Sequence, residues 1–168
     1  DAFLRTIVNA FEHHPNIIWN VAEESEEKHS TLKVQNIAAV IRDADDHGHL
    51  VGNHHHSSLV FKAWLDGGYI DHYSMHLDVP PQDAHQGAVD ARDLAEAAGV
   101  DGNGYMVTYT EPFFTNGSPD PVIRQYLWDC AMAGVMPLIF GTDVVSTSPA
   151  LLNECRKISD WFESTDFW

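Results

Sequence analysis

The sequence predicts an α/β fold in which a parallel sheet alternates with helices, and three observations carry that expectation. Short β-rich runs alternate with segments of helical hydrophobic period along all 168 residues, the pattern of repeated βαβ units. The runs recur about every 30 residues, the size of one such unit with its right-handed crossover. Each run also exits into polar or ionisable groups: Glu23 and Glu24, His54 to His56, His72 to His76, Glu111, and Asp143. A closed barrel gathers all its strand ends round one mouth, whereas a doubly wound open sheet concentrates function at one switch point. No Gly-rich phosphate loop follows the first run, as a nucleotide-binding open sheet would need. The expected architecture is therefore a partial (β/α)8 TIM barrel, strands 4–8 with their helices, in a single domain over residues 1–168. A full barrel takes about 250 residues, so strands 1–3 are expected to be absent on the N-terminal side.

The elements follow from local pattern. Residues 2–13 place Phe3, Leu4, Ile7, Val8, Ala10 and Phe11 at helical spacing, and Pro15 ends the helix. The apolar run Ile17-Ile18-Trp19 leaves the Pro15-Asn16 turn as a strand over 17–22, and residues 24–30 read as an acidic exit loop. A helix over 31–45 buries Leu32, Val34, Ile37, Ala38, Val40, Ile41 and Ala44, with Gly48 a cap beyond its end. Further strands are predicted at 49–54, 69–76, 105–110 and 135–140, and helices at 57–66, 83–98, 120–133 and 149–163. Gly67-Gly68, the turn Asp101-Gly102-Asn103-Gly104 and first-turn Pro121 punctuate them.

Composition excludes several roles. With 25 acidic residues against 9 basic, the net charge is −16, unsuited to nucleic acid or to an anionic membrane surface. No run reaches the roughly 18 apolar residues of a spanning helix. Cys130 and Cys155 lie in separate helical patterns, and their spacing does not demand a pair. The opening residues do not resemble a signal peptide. Compartment is thus open, with secretion or a periplasmic location expected if a preceding segment carries a signal.

The chemistry centres on two carboxylates. Trp19-Asn20-Val21-Ala22-Glu23-Glu24 and Tyr105-Met106-Val107-Thr108-Tyr109-Thr110-Glu111-Pro112 share one design, a strand that delivers a glutamate at its end. Two carboxylates facing one cavity suit glycoside hydrolysis, one protonated to donate to the leaving oxygen and one to attack or to activate water. Side chains alternate along a strand. Glu24 shares parity with Asn20 and Ala22, small or polar residues fit for a crowded mouth, so Glu24 rather than Glu23 is expected to point inward. Pro112 stiffens the turn that aims Glu111. Phe113 and Phe114, on a loop, are candidates to stack on a sugar ring.

These strings resemble the signatures of clan A retaining glycoside hydrolases. Trp19-Asn20-x-x-x-Glu24 is similar to the fourth-strand pattern that ends in the acid/base, and Thr110-Glu111-Pro112 to the seventh-strand pattern that carries the nucleophile. Ile37 to Asp45, followed by His47-Gly48-His49-Leu50-Val51, resembles the apiosidase-like, collagenase-labelled subset of that clan. The resemblance spans nearly the whole chain. It implies Glu24 as acid/base and Glu111 as nucleophile, acting without a cofactor on a poly- or oligosaccharide. It also implies substrate contacts from Asn20, Glu23, His55, Tyr73, His76, Phe113, Phe140 and Asp143. Two departures stand out: Glu23 occupies the position where the clan has Asn, and Phe140 stands near where it has a Trp platform. A further segment or a second chain would be expected to complete the barrel.

Two other readings compete. In one, His54, His55 and His56, with His72, His76, Glu24 and Asp143, ring one mouth as in a metal-dependent hydrolase, though adjacent side chains on a strand point apart. No metal ligand is assigned on that basis. A non-catalytic carbohydrate- or protein-binding barrel fragment is the third reading.

Overall fold

A computed structural model describes residues 1–56, 68–77, 79–98, 106–112, 120–137 and 148–165. The helices are α1 (Ala2–Phe11), α2 (Ser25–Lys28), α3 (Thr31–Ala44), α4 (Ala84–Ala98), α5 (Asp120–Met132) and α6 (Pro149–Ser164). The strands are β1 (Trp19–Asn20), β2 (Val51–His56), β3 (His72–Leu77), β4 (Met106–Pro112) and β5 (Met136–Pro137). They form a five-stranded sheet in the order β1-β2-β3-β4-β5, with β1 parallel to β2 and β4 parallel to β5. Strand order therefore follows chain order with no reversal. A doubly wound sheet must reverse at its switch point, whereas the wall of a (β/α) barrel runs on in sequence. The chain is α/β and forms part of such a barrel.

Most predicted elements are present, with shifted ends. The first strand is assigned only over Trp19–Asn20, yet its ladder continues: Val21 N–H donates to Gly52 O at 2.9 Å, and His54 N–H to Ala22 O at 3.2 Å. Residues 25–28, expected as loop, form the single turn α2. The helix expected from 83 begins with a 3-10 turn, Pro81–Asp83, as suits a proline start. Ser30 caps α3 by accepting from Lys33 N–H, and Ser148 caps α6 by accepting from Leu151 N–H at 3.1 Å. Gly48 takes φ 71, the left-handed conformation its absent Cβ permits. The predicted helix at 57–66 lies outside the described residues.

Two compact units are described separately. The first comprises Asp1–Met75 with Asp93–Val107. Its core holds Val8 from α1, Val34, Ala38 and Ile41 from α3, and Val51, Tyr73 and Met75 from the sheet. One guanidinium ties α3 to the strand entrances. Arg42 pairs with Asp71 and donates to the carbonyls of His49 at 3.1 Å and Tyr69 at 3.2 Å. Asp71 also accepts the Val51 N–H at 3.0 Å. Nearby, the Asp45 carboxylate accepts from Trp19 Nε1 (3.1 Å), His47 N–H (3.1 Å) and His49 N–H (2.8 Å), and its Oδ1 lies 3.0 Å from His49 Nδ1. Burial raises its pKa, but hydrogen bonds from His49, His47 and Trp19 prevail and hold it below the usual carboxylate value.

The second unit comprises His76–Arg92 with Thr108–Trp168. Ile123, Tyr126, Leu127 and Cys130 of α5 and Leu151, Ile158 and Phe162 of α6 are buried, and Trp128 meets Trp161 edge-on at 6.2 Å. Both cysteines are free thiols. Burial, with the Asp129 charge, pushes Cys130 up to about 12. Among the described residues no helix is long and apolar enough to cross a membrane.

Candidate active site

β2 is buried on both faces, with Asn53 at 0%, His54 at 1% and His55 at 4% exposure, as an inner strand of a parallel sheet should be. Alternation puts Gly52 and His54 on one face and Asn53 and His55 on the other. On the first face the register sets Asn20 beside Gly52. His72 of β3 closes over the same glycine: a Cβ there would lie 2.5 Å from His72 Nδ1 and 3.2 Å from its carbonyl oxygen. Gly52 is thus required by the close approach of the neighbouring ring. Burial pushes His72 down to about 4, against the opposing charge of Asp71, so its ring is neutral at neutral pH.

The second face packs differently. Asn53 Nδ2 donates to the buried Ser25 hydroxyl at 2.7 Å, which fastens α2 to β2. Its Oδ1 is buried without a hydrogen-bond partner among the described residues. His55 stacks obliquely on Tyr73 with ring centroids 5.7 Å apart.

Glu24 stands where the β1 ladder ends. Strand alternation stops after Ala22, so parity does not set its direction. Its backbone does: φ is 39 and ψ is 51, left-handed, and it is the one non-glycine residue at positive φ among those described. That conformation costs roughly 1–2 kcal/mol for a residue with a Cβ. Such an outlier is the kind of strain that functional residues retain. Glu24 N–H donates to His54 Nδ1 at 3.2 Å. The carboxylate of Glu23, 65% exposed, places Oε1 3.1 Å from the same ring nitrogen.

The expected site residues sort as follows. Asn20 and Glu23 are exposed, and Glu24 and His76 are half-buried. His55 and Tyr73 are buried against each other. Glu111 is the penultimate residue of β4, and its side chain lies outside the described part of the structure. So do Phe113, Phe140 and Asp143. The histidine run does not act as a unit, since His54 and His55 take opposite faces. Among the described residues no group of three His, Cys, Asp or Glu side chains is arranged to hold a metal ion. A cleft lined by Asp1, Leu4, Ser30, Leu32, Lys33, Asn36 and Ile37 contains none of the expected site residues. The contact from His54 to the Glu24 backbone was not expected from the sequence. Its signal would have been the β1/β2 register, which sets Ala22 against His54 and brings the next turn over the ring.

No protein-family model and no curated protein sequence matches the chain. Solved structures do, among them a glycoside hydrolase family 5 protein from Bacteroides vulgatus, at a TM-score of 0.69 and 18% sequence identity. The match covers 99% of this chain and 44% of that one. The chain thus has the fold of part of a glycoside hydrolase and spans less than half the length of the protein it matches.

Proposed function

We propose that the chain carries the catalytic glutamates of a retaining glycoside hydrolase acting on the O-glycosidic bonds of a poly- or oligosaccharide. One observation carries the reading: in a fold similar to part of a glycoside hydrolase, two strands of one sheet lead to glutamates, Glu24 a few residues past β1 and Glu111 the penultimate residue of β4. In this reading Glu111 attacks the anomeric carbon while Glu24, protonated, donates to the departing oxygen. Glu24 then serves as base for the water that releases the sugar from Glu111. Asn20 and Glu23, both exposed, contact the sugar. The string from Ile37 to Val51 favours the apiosidase-like subset, and a further segment or a second chain closes the barrel.

Turnover of aryl glycosides and plant or microbial oligosaccharides, with the anomeric outcome followed by proton NMR, tests this. Glu24→Gln and Glu111→Gln should each lower kcat by about 10²-fold or more while sugar binding persists, each variant removing one of the two carboxylates on which the chemistry depends. Retention expects carboxyl groups about 5–5.5 Å apart, inversion about 6.5–9.5 Å. Undiminished turnover in both variants would end the proposal.

A further inference from the structure

Glu24 holds a left-handed backbone conformation in the turn between β1, assigned over only two residues, and α2. The hydrogen bond that meets its N–H comes from another strand. Nδ1 of His54 accepts that N–H at 3.2 Å, and the ring is 1% exposed. A buried side chain from β2 is a rigid reference against which the turn after β1 can be set. We propose that His54 is the positioning residue of the acid/base: Nδ1 of its ring accepts the Glu24 N–H and fixes the turn that aims the carboxyl group. This rests on the reading of Glu24 as acid/base.

The same nitrogen has a second neighbour of opposite demand. Oε1 of Glu23 lies 3.1 Å from Nδ1. With a lone pair, Nδ1 accepts from Glu24 and offers Glu23 nothing. With a proton, it donates to the Glu23 carboxylate and can no longer accept the Glu24 N–H. The two demands on Nδ1 exclude one another, so the ring serves either the Glu24 backbone or the Glu23 carboxylate. Several other titratable groups lie on this side among the described residues. The exit of β1 contributes the carboxylates of Glu23 and Glu24. On β3, His72 shares the face of Gly52 and His54, with Asp71 next to it in the chain. His55 is turned to the opposite face with Tyr73.

The arrangement separates positioning from mere packing by rescue. His54→Asn places an amide oxygen where Nδ1 stood and keeps an acceptor that does not titrate. His54→Leu fills the space and removes it. With both variants shown to be folded by thermal unfolding, His54→Leu should lower kcat by about 10- to 100-fold, the scale of a small misplacement of a reacting group, with KM nearly unchanged. His54→Asn should keep kcat within a few-fold of the parent, the rescue that a merely space-filling role would not give. A second readout needs no turnover: in nitrogen-15 NMR of the 168-residue chain, the Glu24 amide should move with the His54 ring titration, and Nδ1 should show as the unprotonated nitrogen of the neutral ring. The proposal is overturned if His54→Leu turns over like the parent with the same pH profile while Glu24→Gln is inactive. It is equally overturned if the Glu24 amide ignores the ring. If Glu24→Gln keeps full activity, the acid/base reading fails instead, and the NMR titration still decides whether His54 holds the turn.

Discussion

Replacing Glu24 by glycine should make the chain more stable than replacing it by alanine. Both substitutions remove the carboxylate and everything it touches, so their difference isolates the backbone. At φ 39 and ψ 51, a residue with a Cβ bears roughly 1–2 kcal/mol of strain that glycine does not. Against this, glycine gives the unfolded chain more freedom, worth about 0.4–1 kcal/mol. The net expectation is about 1 kcal/mol in favour of Glu24→Gly. Neither variant forfeits a capping bond, because the Glu24 side chain makes none to α2. For a chain of this length such a difference moves Tm by about 2–4 °C. Paired urea and thermal unfolding curves measure it, and both variants should be inactive in the hydrolysis assay. If Glu24→Ala matched or exceeded Glu24→Gly in stability, the left-handed turn would not be a source of strain, and the link drawn between strain and function would be wrong.

Three further outcomes follow from the same unit. Gly52→Ala should cost about 1–3 kcal/mol by overpacking, because the new methyl would meet His72 Nδ1 at 2.5 Å; combining it with His72→Ala should recover part of the loss in urea unfolding, but not the part due to the carbonyl at 3.2 Å. His72 is depressed from 6.5 to about 4, so between those values the unfolded chain binds the proton and the folded chain does not. Stability should therefore fall by about 3 kcal/mol at most as pH drops from 6.5 to 4, and His72→Gln should flatten that slope. Arg42→Met should cost about 1–3 kcal/mol, since it leaves Asp71 without its cation and the carbonyls of His49 and Tyr69 without a donor; an unchanged urea midpoint would show that the tie is superficial.

The alternation of elements was legible because β-rich runs and helical stripes differ in period, and chain order alone sufficed for the strand order. Short strands were harder. Trp19–Asn20 is assigned as only two residues, whereas the run Ile17-Ile18-Trp19 suggested a longer one; Ile18 is in fact 43% exposed, since apolarity does not reveal where pairing begins. The turn α2 was hidden by the acidic string after Glu24. What creates it is tertiary: the bond from Asn53 to Ser25 and the contact from His54 to Glu24. The emphasis on Glu24 came from its spacing after Trp19, but the alternation invoked for it ends at Ala22, two residues short. For the histidines, strand alternation already argued that adjacent rings point apart, and His54 and His55 do take opposite faces. Gly52 was passed over entirely, since only the ring of His72 from the next strand reveals why a side chain is forbidden there.

The unbroken run β1-β2-β3-β4-β5 has a kinetic corollary. Each strand's sheet partner is its immediate successor in the chain, so each pairing closes a loop of similar, modest length. Loop-closure entropy grows only logarithmically with that length, and no single pairing enjoys a decisive head start. Assembly can begin at any junction and spread outward, which disperses the folding nucleus over the sheet in place of one obligatory seed.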